Sequence, residues 1–215
     1  MAGPVTLEPV NFLRPVDRSD ELRSVAAVRF LELPPRTCVM IDGQGPPEPA
    51  VFRDRMPGLY TAAWSLRFAL KRRGVVTRVG PLEGLWWTTD GTTDLELIFG
   101  PDRATGRETW RWTLFIALPD EATETEIEAA LAAGRAKLGA GLAPSLWVEL
   151  FAEARVAQVL HLGPYANERP TIERLHAAIA AAGLRPRGRH HEIYLGIPGK
   201  GAPERLKTIL RQPVA

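Results

Sequence analysis

The chain has 215 residues, 45% of them hydrophobic, and a formal net charge of +2. That is enough for one sizeable core or for two small halves sharing one, and the near-neutral balance gives no electrostatic case for nucleic acid, whose binders carry a basic excess on one face. A single cysteine, Cys38, excludes an intrachain disulfide framework and a cysteine metal cage, and with no signal-peptide pattern and no apolar run of about 18 residues the expectation is a soluble cytoplasmic protein with no membrane partner.

Residues 1 to about 35 read as an extended lead-in, too weakly patterned for a domain of their own. Residues 37–43 read as an apolar strand in which Cys38 is a small core residue, followed by Gly45-Pro46 and a Pro-rich turn. A helix over 57–73 buries Leu59, Ala62, Ala63, Leu66 and Leu70 and stops at Gly74. Strands follow at 82–87 and 109–118, and a helix over 123–138, with Ile127, Ala130 and Leu131 inward, leads into the second half. There the order returns: a strand over 154–162, Gly163-Pro164, a helix opened by Pro170 with Ile172, Leu175 and Ile179 inward and Gly183 at its end, a strand over 190–197, and a last strand over 206–210. The basic clusters, Lys71-Arg72-Arg73 and Arg185, Arg187 and Arg189, read as cations near helix ends and on solvated edges.

The expected fold is therefore α+β: two pseudo-symmetric strand–helix–strand–strand repeats forming one antiparallel-rich sheet, with helices on one face and a concave ligand groove on the other. One domain spans 1–215, with repeat one over about 36–118, a linking helix over about 120–140 and repeat two over about 149–212. Glu83 follows Gly74 at the same distance as Glu192 follows Gly183, which makes Glu83 the expected repeat mate of Glu192.

The chemistry concentrates in His190-His191-Glu192-Ile193-Tyr194-Leu195-Gly196. On a strand, residues i and i+2 share a face, so Ile193 and Leu195 turn toward a core and Glu192 and Tyr194 are presented together on the other side. An acid sharing a water-poor face with a phenol is either a structural hydrogen bond or a working group in a cavity. Six tryptophans supply aromatic surface. They are core packing or the walls of a pocket for a flat aromatic ligand. Only one of Trp86 and Trp87 can face the groove; Trp87 shares a face with Glu83, and Trp112 shares one with Trp110. Tyr60, Phe52, Tyr165 and His161 are candidates for the rim. Adjacent His190 and His191 diverge on a strand and no His-Glu-x-x-His occurs, so no metal site is expected. No Gly-x-Ser-x-Gly elbow, phosphate loop or dinucleotide fingerprint is present, and no cofactor is expected.

The strand–Gly-Pro–helix–Glu repeat resembles the GyrI-like small-molecule-binding superfamily, whose members include multidrug-sensing effector domains with a carboxylate at the bottom of an aromatic pocket. Residues 41–46 (IDGQGP), 81–87 (PLEGLWW), 190–195 (HHEIYL) and 206–214 (LKTILRQPV) resemble one branch more closely. That branch includes proteins that hydrolyse the cyclopropane of yatakemycin- and duocarmycin-like DNA-alkylating compounds. The resemblance implies self-protection or detoxification, with the strained ring opened by water before it reaches DNA. It implies Glu192 as general base or water-orienter, Tyr194 bonded to Glu192 or to the water, and His161 or Tyr165 as donor to the dienone oxygen. Trp87, Trp112 and Tyr60 would hold the flat substrate, with Trp86, Phe52 and Glu83 near it. The alternative is a non-catalytic protein that sequesters its ligand, in either case a monomer or weak homo-oligomer.

Overall fold

The computed structural model describes residues 11–13, 17–45, 49–88 (backbone alone over 49–52), 110–196 and 202–215. Its elements are α1 (Arg18–Glu21), β1 (Arg29–Glu32), β2 (Arg36–Gln44), α2 (Pro49–Arg72), β3 (Leu82–Thr88), β4 (Trp110–Ala117), α3 (Glu124–Leu138), β5 (Leu146–Phe151), β6 (Arg155–Leu162), α4 (Arg169–Ala181), β7 (His190–Tyr194) and β8 (Lys207–Pro213). The fold is α+β, and all of the strand pairs described below are antiparallel. The chain forms two compact units, Pro35–Ala152 and Met1–Pro34 with Glu153–Ala215.

In the unit Pro35–Ala152 the strand order is β5-β2-β4-β3. Alternation sends Cys38, Met40, Leu85 and Phe115 to one face, where Trp87, Trp147 and Phe151 pack against them. The other face lies under α2 and α3. The buried stripe of α2 is Leu59, Ala62, Ala63, Leu66 and Leu70, as its periodicity predicts. The helix starts at Pro49, well before the expected start at Pro57. Pro57, which reads as a helix-starting proline, lies inside the helix on its exposed side. Its C-terminus is closed by Gly74 at φ +83°, with Val75 N–H returning to Leu70 O at 2.9 Å. Thr123 and Glu126 form a capping box at the start of α3. The two helices touch through glycine: a Cβ on Gly134 would stand 2.7 Å from the Gly58 carbonyl oxygen, and one on Gly58 2.3 Å from Leu138 Cγ.

In the other unit the order is β1-β6-β8-β7. Helix α4 begins with Pro170 in its first turn and buries Ile172, Leu175 and Ile179, and Gly183 ends it at φ +71°. It lies on the His161 face of the sheet, since His161 Nδ1 and Thr171 Oγ1 are 3.0 Å apart. The opposite face packs Leu160, Ile193 and Ile209 with Leu22 and Leu195. Beside that cluster is a buried ionic network. Arg211 Nη2 donates to Glu21 at 2.7 Å and Arg211 Nη1 to Glu153 at 3.1 Å; its Nε and Nη2 both reach Gln158 Oε1, and His191 Nδ1 lies 3.0 Å from Glu153.

Each repeat thus contributes three strands in one order, β2-β4-β3 and β6-β8-β7, and each unit takes an edge strand from outside its repeat. The expected lead-in supplies α1 and β1, the latter pairing Phe30 with Ala157. The linker before repeat two supplies β5, which was not expected and pairs Met40 with Trp147. Two further boundaries differ. Strand β7 ends at Tyr194, with Ile197 outside the described residues, and β8 runs on to Pro213. No helix among the described residues is long and apolar enough to cross a membrane.

Candidate active site

Strand β7 is buried along its whole length. His190, Glu192 and Tyr194 share one face, while His191 and Ile193 serve the network and the apolar cluster on the other. The Tyr194 hydroxyl donates to Glu192 Oε2 at 2.7 Å, and His190 Nε2 lies 3.7 Å from Glu192 Oε1. Burial pushes the Glu192 carboxyl up to about 7, against the lowering effects of the Tyr194 hydrogen bond and of His191. Burial and the neighbouring His176 and His191 hold His190 down at about 3, so it is a neutral imidazole at pH 7. Tyr165 stands edge-on to Tyr194 with ring centroids 5.7 Å apart. Burial, then the charges of Glu192 and Glu168, raise Tyr165 to about 12, and burial with Glu192 raises Tyr194 well above the ordinary range. Both phenols therefore keep their protons at neutral pH and remain donors.

Cross-strand pairing extends this face. Tyr194 is opposite Thr208, and Thr208 is opposite His161. His161 Nε2 is 3.3 Å from the Pro164 carbonyl, which only accepts, so Nε2 carries the proton and Nδ1 accepts from the Thr171 hydroxyl at 3.0 Å. Both ring nitrogens are thereby spent on fastening the Gly163-Pro164 turn to the start of α4, which leaves Tyr165 as the better of the two expected donors to a developing oxyanion. Two residues were not anticipated. Thr208 is buried, and its hydroxyl has no hydrogen-bond partner among the described residues. Glu168, buried three residues after Tyr165, is close enough for its charge to act on both tyrosines. Thr208 had a legible signal, since it lies on the strand expected to follow β7. Glu168 had none, because it sits in a short turn outside any period.

The other expected residues lie in the unit Pro35–Ala152. Trp86, Trp110 and Trp112 gather on the α2 face, with ring centroids of Trp86 at 6.2 Å from Trp110 and 6.4 Å from Trp112. Trp112 is fully buried and lies flat against Gly43, where a Cβ would stand 2.0 Å from the indole; Arg55 caps its ring at 5.4 Å. Tyr60 is half-buried on α2, and burial raises its phenol. The side chain of Phe52 lies outside the described residues.

Glu83 and Trp87 point away from α2, to the face of Leu85 and Phe115. The expected pairing of Glu83 with Glu192 therefore fails. Gly45 N–H bonds to Trp110 O and Gly163 N–H to Leu206 O, which makes Trp110 and Leu206 equivalent. Following the registers from there, Tyr194 matches Trp86 and Glu192 matches Gly84. The connection from helix stop to strand is one residue longer in the first repeat, and a one-residue slip moves a side chain to the other face. Among the described residues, no three of His, Cys, Asp or Glu are grouped to hold a metal ion.

No family model matches the chain, and no curated protein matches it. Solved structures do. An uncharacterised conserved protein from Listeria innocua is 29% identical over 92% of this chain and 97% of its own, with a TM-score of 0.77. A hydrolase from Listeria innocua is 27% identical over 92% of this chain and 96% of its own, with a TM-score of 0.71. The EcmrR C-terminal domain, 13% identical over 88% of this chain and 97% of its own with a TM-score of 0.54, shares the fold alone. The two Listeria innocua structures bear out the expected α+β fold over most of this chain.

Proposed function

We propose that this protein is a hydrolase that adds water to the strained cyclopropane of a spirocyclopropyl dienone, as in yatakemycin- and duocarmycin-like compounds, and so protects DNA from alkylation. The observation that carries the reading is the buried Tyr194–Glu192 pair at 2.7 Å, with the carboxyl raised to about 7 by burial. A base is most useful when its pKa lies near the working pH. Glu192 takes a proton from a water aimed at the unsubstituted cyclopropane carbon. A carbon–oxygen bond forms there, the ring carbon–carbon bond breaks, and its electron pair moves into the ring, which becomes a phenolate. Tyr165 hydrogen-bonds the oxygen on which that charge develops, and the phenolate takes up one proton, so the net change is the addition of water. With His190 neutral, Glu192 Oε1 has no cationic partner on that face among the described residues, and Tyr194 fixes the other oxygen. The hydrolase from Listeria innocua lends support at the level of reaction class.

The test is incubation of substoichiometric protein with such a dienone, read by mass spectrometry, with Glu192→Gln alongside. Many turnovers of product heavier by one water, lost in the variant, are expected. Saturation at one equivalent with no added water would instead leave a ligand-sequestering protein.

A further inference from the structure

Strand β1 is shielded at its outer edge. Leu13 N–H donates to Phe30 O at 3.1 Å, and Glu32 N–H donates to Leu13 O at 3.3 Å. The strand has four residues, with charge at both ends. Strand β5 has none of these protections. Thr37 O accepts from Leu118 N–H at 2.8 Å, so the facing Thr37–Leu150 pair is of the non-hydrogen-bonded kind. The main-chain groups of Leu150 then point away from β2, and by alternation so do those of Val148 and Leu146. Arg135 Nε satisfies the Leu146 carbonyl at 3.0 Å. Among the described residues nothing bonds Val148 or Leu150 from that side. Leu150 is 66% exposed, and the strand Leu146–Phe151 carries no Lys, Pro or Gly to blunt it.

We infer that β5 is a self-association edge that pairs antiparallel with β5 of a second copy about a two-fold axis at Val148. Side chains directly opposite share a face, so a two-fold axis normal to the sheet passes through either Val148 or Glu149. An axis at Glu149 opposes two carboxylates. An axis at Val148 sets Trp147 opposite the second copy's Glu149, matching an indole N–H to a carboxylate. The same donor and acceptor already bond within one chain at 3.2 Å. That register sets Leu146 opposite Leu150 of the other copy without main-chain bonds, since those of Leu146 go to Arg135 and to the Ala143 carbonyl, and the two Val148 residues exchange both of their main-chain hydrogen bonds.

Analytical ultracentrifugation from about 1 to 200 µM, the range in which modest interfaces populate, tests this. The wild type is expected to approach twice the monomer mass. Val148→Pro removes the outward N–H, at an edge that tolerates proline, and Leu150→Lys places a charge there; both are expected to remain monomers with wild-type circular dichroism. If Val148→Pro fails to fold, Leu150→Lys carries the test alone. Val76→Lys, at a position 88% exposed, is expected to dimerise like wild type. A wild type monomeric at every concentration, or a dimer that survives Leu150→Lys, overturns the inference.

Discussion

At the scale of single residues, the site rests on one carboxylate that folding makes harder to ionise. Its rate law has a direction. In the proposed reaction Glu192 acts as a base only when ionised, so kcat/KM for ring opening should rise with pH through about 7. Tyr194→Phe removes the hydrogen bond that lowers the Glu192 pKa, so that rise should move to higher pH; Glu192→Gln should lower kcat/KM by about 10²- to 10⁴-fold. Stability runs the other way. A carboxyl whose folded pKa is raised above its ordinary 4.5 binds its proton more tightly in the folded state, so stability falls as pH rises from 4.5 to about 7. Glu192→Gln should therefore raise the Tm at pH 8 and change it little at pH 4.5, as calorimetry will read directly. The pairing of Glu192 with Tyr194 was legible because strand period alone sets it. The face of Glu83 was not, because a one-residue difference in the length of a turn carries no pattern in the sequence.

At the scale of elements, the helices were legible wherever an apolar stripe met a glycine stop, as at Gly74 and Gly183. The start of α2 was not, because Pro57 reads as a helix start although it sits inside the helix. Neither were β1 and β5, edge strands whose short, mixed sequences show no clean alternation. What holds α2 against α3 is the absence of side chains at Gly58 and Gly134. Gly134→Ala would set a methyl 2.7 Å from both the Gly58 carbonyl oxygen and Leu146 Cδ2, and the helices would have to separate. The expected cost is about 1–3 kcal/mol in urea unfolding. Thr123→Ala, which removes half of a capping box, should cost about 1 kcal/mol.

At the scale of the whole molecule, the buried network around Arg211 ties α1 to strands β6, β7 and β8. It lies on the face of β7 opposite Glu192. Arg211→Met would leave Glu21 and Glu153 buried without their guanidinium, and removing one partner of such a set costs about 3–5 kcal/mol. Glu153 is held at about 2, burial being outweighed by His191 and Arg211. Its contribution is therefore complete above pH 4.5 and fades as pH falls toward 2. An acid titration of Tm should show that loss in the wild type and a flatter profile in Glu153→Gln. No sequence period announces this network, since its partners come from four separate stretches of chain and meet only when the sheet is built.

The composition of the two units also orders their birth on the ribosome. Residues 35–152 are continuous, and this unit has all of its strands once that stretch has emerged. The other unit is interrupted by it, and Glu21 meets Arg211 across 190 positions of sequence. Since domains fold as they emerge during synthesis, the first 34 residues must wait, with Glu21 still in water, while the intervening unit is made. The unit carrying Glu192 thus becomes competent only after the unit Pro35–Ala152, and a nascent chain stalled before residue 207 lacks the strand that completes it.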